Sequence, residues 1–179
     1  PRSPYAASKL AAEHLLAAWS ASYVLSTVSL RYFNVFGPGQ PAGSAYAAVI
    51  PAWIDRLKSG QSPVVFGDGS QTRDFTFVDN AVLATLLAGA TDCDLQGEVV
   101  NVGTGSSISL NELASALAER CNKPELAPEH HDPRPGDVLH SLADISRAHK
   151  LLGYSPAVTL EAGLDATVGI ASAEIGSNS

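Results

Sequence analysis

A ten-residue run, residues 24–33, limits the fold more than any other segment: it carries a single charge and is rich in β-branched and aromatic side chains. Such a run is typical of a strand that is buried on both faces, as in parallel sheets covered by helices. Residues 98–102 have the same character and predict a second buried strand. Helical segments separate these strands, so the alternation predicts an α/β protein with a parallel sheet.

Capping and turn signals predict the remaining elements. A helix begins after the N-cap Ser3, with Pro4 in its first turn, and continues to about residue 20. Ser109 and Glu112 form a capping box that opens a helix to about residue 121. The other predicted elements are helices over residues 46–58, 79–89 (capped by Asp79) and 144–152, strands over 64–66 and 75–78, and polar loops over 67–72 and 128–137.

Composition excludes several classes of partner. The chain has 179 residues, with 11 Lys and Arg against 18 Asp and Glu, and a formal net charge of -7. This balance argues against nucleic acid and anionic membranes as partners, so local arginines must hold any anionic ligand. The longest apolar stretch, residues 81–90, is too short to span a bilayer. Because the two cysteines form no pattern, we expect a cytoplasmic protein without a metal site.

Tyr5 and Lys9 are the first candidate catalytic residues. They lie four residues apart on the predicted first helix, so both side chains project from one face. An ammonium beside a phenol favours the phenolate, which suits the pair to acid–base chemistry. An ordinary exposed pair on a helix is the alternative interpretation of this spacing.

Two polar segments offer ligand contacts. Residues 31–38 (RYFNVFGP) end the first strand in polar groups and a turn, and ligands of α/β sheets bind at such strand ends. Residues 67–75 (GDGSQTRDF) combine a glycine-rich turn with Arg73, whose guanidinium can bind a phosphate. Taken alone, a charged glycine-rich turn more often joins two strands.

In their order along the chain, these segments resemble the extended short-chain dehydrogenase/reductases that act on nucleotide sugars, the NAD-dependent epimerase/dehydratase family. The resemblance rests on five motifs: YAASK at 5–9, RYFNVFGP at 31–38, GDGSQTRDF at 67–75 followed by Val78-Asp79, NVG at 101–103 and RPGD at 134–137. Within the family, residues 45–51 (AYAAVIP) and 134–141 are most similar to bacterial UDP-N-acetylglucosamine 4-epimerases.

The resemblance implies the C-terminal part of a Rossmann-like, doubly wound parallel sheet that is interleaved with a small α/β substrate-binding domain. The implied NAD-binding parts are residues 1–36 and 76–105, the substrate-binding parts are residues 37–75 and 106–171, and residues 172–179 form a flexible tail. The family's glycine-rich turn and catalytic Ser or Thr are absent, and the chain has no methionine, even at position 1. We therefore expect a fragment of a longer enzyme, inactive in isolation.

The same resemblance implies the reaction. A UDP-sugar 4-epimerase interconverts UDP-GlcNAc and UDP-GalNAc, or UDP-glucose and UDP-galactose, through a 4-keto intermediate with NAD as cofactor. Tyr5 would take the proton of the sugar 4-hydroxyl, and Lys9 would hold the nicotinamide ribose. Tyr32 and Phe33 are also expected at the cofactor.

For the substrate, the resemblance implies eight contacts: Asn34, Val49, Ile50, Phe66, Arg73, Arg134, Asp137 and Ser141. Val49 and Ile50 would line the nucleotide pocket, and Asn34 would contact the diphosphate region. Phe66 would pack beside uracil, and Arg73 would clamp the diphosphate together with Arg134. Two arginines suit a diphosphate that the net charge of the protein would repel.

Two further substrate roles follow from the resemblance. Asp137 would accept a hydrogen bond from the uridine ribose. Ser141 falls beside the sugar, where its small side chain would leave room for an N-acetyl group. From the residues alone, Ser141 could equally form an S-x-x-D cap with Asp144.

Other functions share these features. A UDP-glucuronate decarboxylase or a dTDP-glucose 4,6-dehydratase of the same family would carry the same motifs. A truncated, non-catalytic nucleotide-sugar-binding module would also lack the glycine-rich turn. Gly103-Thr104-Gly105 is interpreted as a structural turn, and His130-His131 as part of a solvated loop.

Family members commonly dimerise through helices around the Tyr-Lys helix, so we expect a homodimer of the full-length protein. The residues available for this interface are Leu10, Leu15, Leu16 and Trp19. An apolar stripe of this kind also fits a plain core. Without its neighbouring strands, the strand over residues 24–33 would expose an apolar edge.

Overall fold

The computed structural model describes residues 3–42, 48–134 and 136–176. Along these residues lie α1 Pro4–Tyr23, β1 Thr27–Tyr32, β2 Val35–Phe36, α2 Val49–Lys58, β3 Val64–Phe66, β4 Thr72–Arg73, β5 Thr76–Phe77, α3 Val78–Ala90, β6 Gln96–Val102, β7 Ile108–Ser109, α4 Leu110–Arg120, β8 Glu129–His131, α5 Ser146–Leu152 and α6 Leu160–Gly176. No helix within these ranges combines the length and apolar character needed to cross a membrane.

The strands pair in twos. β1 lies parallel to β6, β2 to β5 and β3 to β8, whereas β4 and β7 are antiparallel. α1 packs against β1 and β6, and α5 packs against β6. Parallel pairing and alternation with helices confirm the predicted α/β class.

The first strand is shorter and more exposed than predicted. Val24 ends α1 in the left-handed conformation, with φ 53°, and is 97% exposed, so the strand begins at Thr27. No residue of β1 is fully buried. Within the described part of the chain its only strand neighbour is β6, so the expected burial on both faces is wrong here.

Both predicted helix caps at serines are confirmed. The Ser3 side chain accepts a hydrogen bond from a backbone amide of the first turn of α1 at 3.1 Å. Ser109 Oγ accepts from the amide of Glu112 at 3.2 Å, while the Glu112 carboxylate accepts from the amide of Ser109 at 2.9 Å. These caps satisfy amides that have no partner within their own helix.

The apolar stripe of α1 is only partly covered. Leu15 and Trp19 are 62% and 57% exposed, whereas Leu10 and Leu16 are half-buried. The interpretation of the stripe as plain core is therefore wrong for Leu15 and Trp19.

Two predicted helix starts are displaced by one or two residues. β5 continues directly into α3, so Phe77 is the N-cap, without a side-chain hydrogen bond, and Asp79 already lies in the first turn. The predicted Asp79 cap is therefore wrong. α5 begins at Ser146, and the carboxylate of Asp144 accepts a hydrogen bond from the Ser146 amide at 3.0 Å.

Five elements are additional to the predicted ones: the two-residue strands β2, β4 and β7, the strand β8 and the helix α6. β8 replaces part of the loop expected over residues 128–137. Its side chains are exposed and polar, so the sequence shows no apolar alternation from which a strand could be predicted. α6 has no counterpart among the predicted elements and extends to Gly176. Residues 45–47 of AYAAVIP, Pro135 of RPGD and residues 177–179 lie outside the described residues.

The buried side chains form two clusters. The smaller lies around β6, α3 and α5, and consists of Ala84, Leu95, Val100, Val102, Ala148, Leu152 and Tyr154. The larger joins α2, α4 and α6 to β2, β3 and β5, and includes Phe36, Ile50, Trp53, Leu57, Val65, Phe77, Leu113, Leu117 and Leu164. This larger core carries the main cavity described below.

Candidate functional site

A cavity of about 720 Å³ opens beside α2 and β3. Six residues that the sequence predicted at the substrate line it: Asn34, Val49, Phe66, Arg73, Arg134 and Asp137. Further lining residues include Ala52, Trp53, Arg56, Val64, Gln71 and Leu110. The fold thus brings together residues from motifs that are up to a hundred positions apart in sequence.

Ile50 and Ser141 do not line this cavity. Ile50 is 1% exposed and belongs to the core, because neighbouring residues of a helix point in different directions. Of the predicted pair, only Val49 lines the cavity, so the expected lining role of Ile50 is wrong. Ser141 is half-buried, and its amide donates to the carbonyl of Thr72 at 3.0 Å, directly beside Arg73.

Phe66, at the end of β3, forms an aromatic surface in the cavity. The guanidinium carbon of Arg134 lies 3.7 Å from the centroid of the Phe66 ring, which is within cation–π range. The His131 ring is tilted against the same phenyl group, with 5.8 Å between centroids. Arg134 is exposed, and within the described residues its guanidinium contacts the phenyl group of Phe66 without forming an ion pair.

Arg73 and Asp137 form an ion pair at the cavity wall. Arg73 Nη2 donates to Asp137 Oδ1 at 2.6 Å, and Nη1 donates to the carbonyl of Thr72 at 2.8 Å. The side chain of Arg73 is 15% exposed, so its guanidinium is largely fixed, whereas that of Asp137 is 40% exposed. A fixed guanidinium at a cavity wall is a suitable donor for an oxyanion.

Asn34 follows β1 with a positive φ of 34°, a conformation that asparagine adopts more readily than most residues. Its side-chain amide donates to the carbonyl of Asp74 at 2.7 Å. This bond fixes the residue that links the end of β1 to the cavity.

Asp74 is a fully buried carboxylate to which the sequence assigned no role. It accepts hydrogen bonds from the Thr104 amide at 2.9 Å, the Thr104 hydroxyl at 2.8 Å, the Gly105 amide at 3.0 Å and the Ala143 amide at 3.3 Å. The Gly103-Thr104-Gly105 turn thus surrounds a carboxylate of the protein, which confirms the interpretation as a structural turn. A Cβ at Gly103 would lie 2.4 Å from Ala143 Cβ, so this close approach requires glycine.

Tyr154 packs beside this carboxylate. It is fully buried, and its hydroxyl donates to the carbonyl of Gly103 at 2.8 Å. Burial, reinforced by the negative charge of Asp74, raises the pKa of Tyr154 to about 12. The phenol therefore stays protonated in the folded protein at pH values where the unfolded chain would ionise it.

The raised pKa predicts an alkaline loss of stability that Tyr154→Phe removes. The protonated Tyr154 phenol contributes about 2–3 kcal/mol to the free energy of unfolding. This contribution is complete below about pH 10 and is lost as the pH rises towards 12. We expect urea unfolding at about pH 9 and about pH 11.5 to show a smaller decrease for Tyr154→Phe than for the wild type. The exposed Tyr23→Phe variant should decrease like the wild type; equal decreases in all three proteins would contradict the assignment.

The four residues expected at the cofactor lie outside the cavity. Tyr5 is 72% exposed on α1, and the Lys9 ammonium lies 5.4 Å from the centroid of its ring. Neither the Tyr5 hydroxyl nor the Lys9 ammonium has a hydrogen-bond or ion-pair partner in the described part of the chain. Tyr32 at the end of β1 shares a 2.7 Å hydrogen bond with the Thr85 hydroxyl, and Phe33 donates its amide to Val102.

Histidines and carboxylates do not form a metal centre in the described residues, where no group of three or more potential ligands converges. His130 Nδ1 lies 2.9 Å from the carbonyl oxygen of Gly67, and this contact connects β8 to the turn after β3. The His130-His131 pair therefore lies on a strand, and the expected solvated loop is wrong in this respect.

The sequence pattern of the NAD-dependent epimerase/dehydratase family matches residues 1–103. The chain belongs to this family. A curated member, the UDP-glucose 4-epimerase of Mycolicibacterium smegmatis, is 41% identical over 169 residues, which are 94% of this chain and 52% of that protein.

Solved structures of family members have the same fold. The UDP-N-acetylglucosamine 4-epimerase of Methanobrevibacter ruminantium, in complex with UDP-N-acetylmuramic acid, superposes with a TM-score of 0.90 at 40% identity, over 97% of this chain and 55% of that one. The UDP-glucuronic acid 4-epimerase of Bacillus cereus, in complex with UDP-glucuronic acid and NAD, superposes with a TM-score of 0.85 at 34% identity, over 97% of this chain and 54% of that one. The Rossmann-like fold is thereby confirmed, and the chain spans about half the length of the curated relatives it matches.

The polar groups of Tyr5 and Lys9 are exposed on α1. The glycine-rich turn that binds the dinucleotide pyrophosphate has no counterpart in the 179 residues.

Proposed function

We propose that this chain is the C-terminal half of an NAD-dependent UDP-sugar 4-epimerase that acts on UDP-GlcNAc and UDP-GalNAc. The observation that carries the proposal is the cavity, because it gathers the Phe66 ring with Asn34, Arg73, Arg134 and Asp137, which come from three separate family motifs. Each of these groups suits one part of a nucleotide sugar. Membership of the epimerase/dehydratase family supports the same chemistry.

Charge in the cavity supports binding of a diphosphate. Arg56, Arg73 and Arg134 line it together with one carboxylate, that of Asp137, so the local charge is positive although the whole chain carries -7. We assign Arg73 and Arg134 to the diphosphate, with Asn34 beside it. Asp137, already held by Arg73, is positioned to accept from a ribose hydroxyl.

The base is assigned to the face of Phe66. In the described structure Arg134 lies against this ring, so a bound base would take its place or share the ring with it. A guanidinium that leaves the ring is free to bind the diphosphate. Val49, Trp53 and Val64 provide apolar contacts for a planar base.

The chemistry is assigned to Tyr5 and Lys9. As a phenolate, Tyr5 removes the proton of the sugar 4-hydroxyl, and later returns a proton to the oxygen of the 4-keto sugar. Lys9, on the same face of α1, holds the nicotinamide ribose. NAD, when bound, supplies the reversible acceptor for the C4 hydride.

The direct test is an assay of the natural protein that carries this chain, expressed from its complete gene, with UDP-GlcNAc and UDP-glucose in parallel. Formation of UDP-GalNAc supports the proposal. Accumulation of a 4-keto-6-deoxy sugar or of a UDP-pentose instead would move the protein to the dehydratases or decarboxylases. Binding of UDP without any turnover would favour a non-catalytic module.

Ser141→Tyr tests the choice of sugar. Ser141 does not line the cavity itself, but its amide is bonded to the carbonyl of Thr72, next to Arg73 at the cavity wall, so a large side chain here would reduce the space beside the diphosphate arginine. We expect turnover of UDP-GlcNAc to fall by about 100-fold, because overpacking excludes the N-acetyl group, while turnover of UDP-glucose changes less than about threefold. An equal fall with both sugars would contradict the assignment of Ser141 to sugar size.

The homodimer and the cytoplasmic location stay predictions. Exposure of Leu15 and Trp19 on α1 supports an interface on this helix. Light scattering of the natural protein would measure the oligomeric state directly.

A further inference from the structure

Arg56 lines the cavity without belonging to any of the five family motifs. It lies in the last turn of α2, on the same helix face as Val49, Ala52 and Trp53, all of which line the cavity. Its Nε donates to the carbonyl of Ser62 at 2.6 Å. This bond fixes the plane of the guanidinium at the start of β3.

The remaining donors of Arg56 have no partner within the described residues. The described ion pairs of arginines are Arg31–Glu13, Arg73–Asp137 and Arg120–Asp165, and none involves Arg56. Its Nη1 and Nη2 groups therefore remain available to a ligand. A half-buried guanidinium with a fixed plane and free donors is suited to carbonyl or oxyanion acceptors.

Contacts along β3 give the order of groups in the cavity. Arg56 is bonded to Ser62, just before the strand, whereas Phe66 ends the strand about 7 Å beyond Val64. Arg134 covers the Phe66 ring. Arg73 is paired with Asp137, which lies in the same sequence motif as Arg134. Arg56 and Arg134 are thus held at opposite ends of β3.

This order determines which part of a nucleotide Arg56 faces. If the base packs on Phe66 and the diphosphate lies between Arg134 and Arg73, the edge of the base far from the ribose points towards Arg56. In a pyrimidine nucleotide that edge carries the substituent at C4. Trp53, fixed by a 3.1 Å bond from its indole Nε1 to the Val64 carbonyl, forms an apolar wall beside this position.

We infer that Arg56 selects a pyrimidine-2,4-dione, uracil or thymine, over cytosine by donating to the C4 carbonyl. This inference rests on the proposed function. Uracil and thymine present an acceptor at C4, whereas cytosine presents an amino group, which is a donor. Cytosine would therefore leave the Arg56 donors and its own amino group unpaired in a site with apolar walls.

The test is calorimetric titration of the natural protein and its Arg56→Met variant with UDP, dTDP and CDP. Methionine keeps much of the apolar stem and removes every donor. We expect the wild type to bind UDP and dTDP at least about tenfold more tightly than CDP. In Arg56→Met, affinity for UDP and dTDP should fall about tenfold or more, with CDP unchanged, so that the preference disappears.

Two further variants make the result decisive. Arg147→Met is a matched control, because Arg147 is exposed, donates to the Val99 carbonyl at 3.1 Å and lies outside the cavity; it should keep the preference. Arg56→Lys keeps the charge but loses the planar fork, so it should also lose most of the preference. It provides the test if Arg56→Met fails to fold.

Two results would overturn the inference while leaving the proposed function intact. One is an unchanged ratio of UDP to CDP affinity in the folded Arg56 variants. The other is an equal loss for all three nucleotides, which would assign Arg56 to general attraction of anions. Failure of the wild type to bind UDP at all would instead contradict the proposed function.

Discussion

Tyr5→Phe is expected to reduce the 4-epimerase turnover of the natural protein by roughly 100- to 10,000-fold. The substitution removes a single oxygen, which the proposed reaction uses to move the proton of the sugar 4-hydroxyl. The Tyr5 hydroxyl has no hydrogen-bond partner in the described chain, and the side chain is 72% exposed, so the fold should not change. Initial rates with UDP-GlcNAc, together with thermal unfolding, measure both effects.

The same helix provides a matched control. Tyr23 at the end of α1 is 74% exposed, and Tyr23→Phe removes the same atom at a position away from Lys9. Its turnover should equal that of the wild type. Near-normal turnover of Tyr5→Phe would remove this tyrosine from the mechanism, whereas a loss in both variants would indicate a general effect on α1.

Asp74→Ala should lower the free energy of unfolding by about 3–5 kcal/mol. Four donors of Thr104, Gly105 and Ala143 depend on this buried carboxylate, and alanine would leave them without an acceptor. The loss should also loosen the connection of Asn34 to the cavity, since that side chain bonds to the backbone of the same segment. Urea unfolding at neutral pH measures the difference.

Asp144→Ala is the control for this prediction. Asp144 is exposed and its side chain accepts from a single residue, Ser146, so we expect a loss of about 1 kcal/mol or less. A loss for Asp74→Ala that is no larger than for Asp144→Ala would show that the buried carboxylate is not a structural centre.

Helix caps and the character of the strands could be predicted from the sequence, because they depend on residues close together in the chain. The caps at Ser3 and Ser109 depend on side chains a few residues from the amides they accept from, so they could be predicted from spacing. The parallel pairing of β1 and β6 followed from their apolar and β-branched residues and from the helices between them in the chain. The positions of Phe66, Arg73 and Arg134 at the cavity could be predicted only through the family resemblance, because no local rule brings such distant residues together.

Features that depend on tertiary neighbours could not be predicted in this way. The exposure of β1 results from its single strand neighbour, whereas its composition reflects a strand covered on both sides. Asp74 looks like any loop carboxylate until the turn at Thr104 and the segment at Ala143 fold onto it. Arg56 lies in an ordinary helix sequence, and its place at the cavity depends on how α2 packs and on the bond to the Ser62 carbonyl.

The two tryptophans of the chain report on different events because their surroundings differ. Trp53 is 3% exposed and forms part of the cavity wall, whereas Trp19 is 57% exposed on α1. A nucleotide that enters the cavity would alter the fluorescence of Trp53, while covering of α1 by another protein surface would shift the emission of Trp19 to shorter wavelengths. Trp19→Phe therefore leaves Trp53 as the single fluorescent reporter of ligand occupancy. Trp53→Phe leaves Trp19 as the single reporter of assembly.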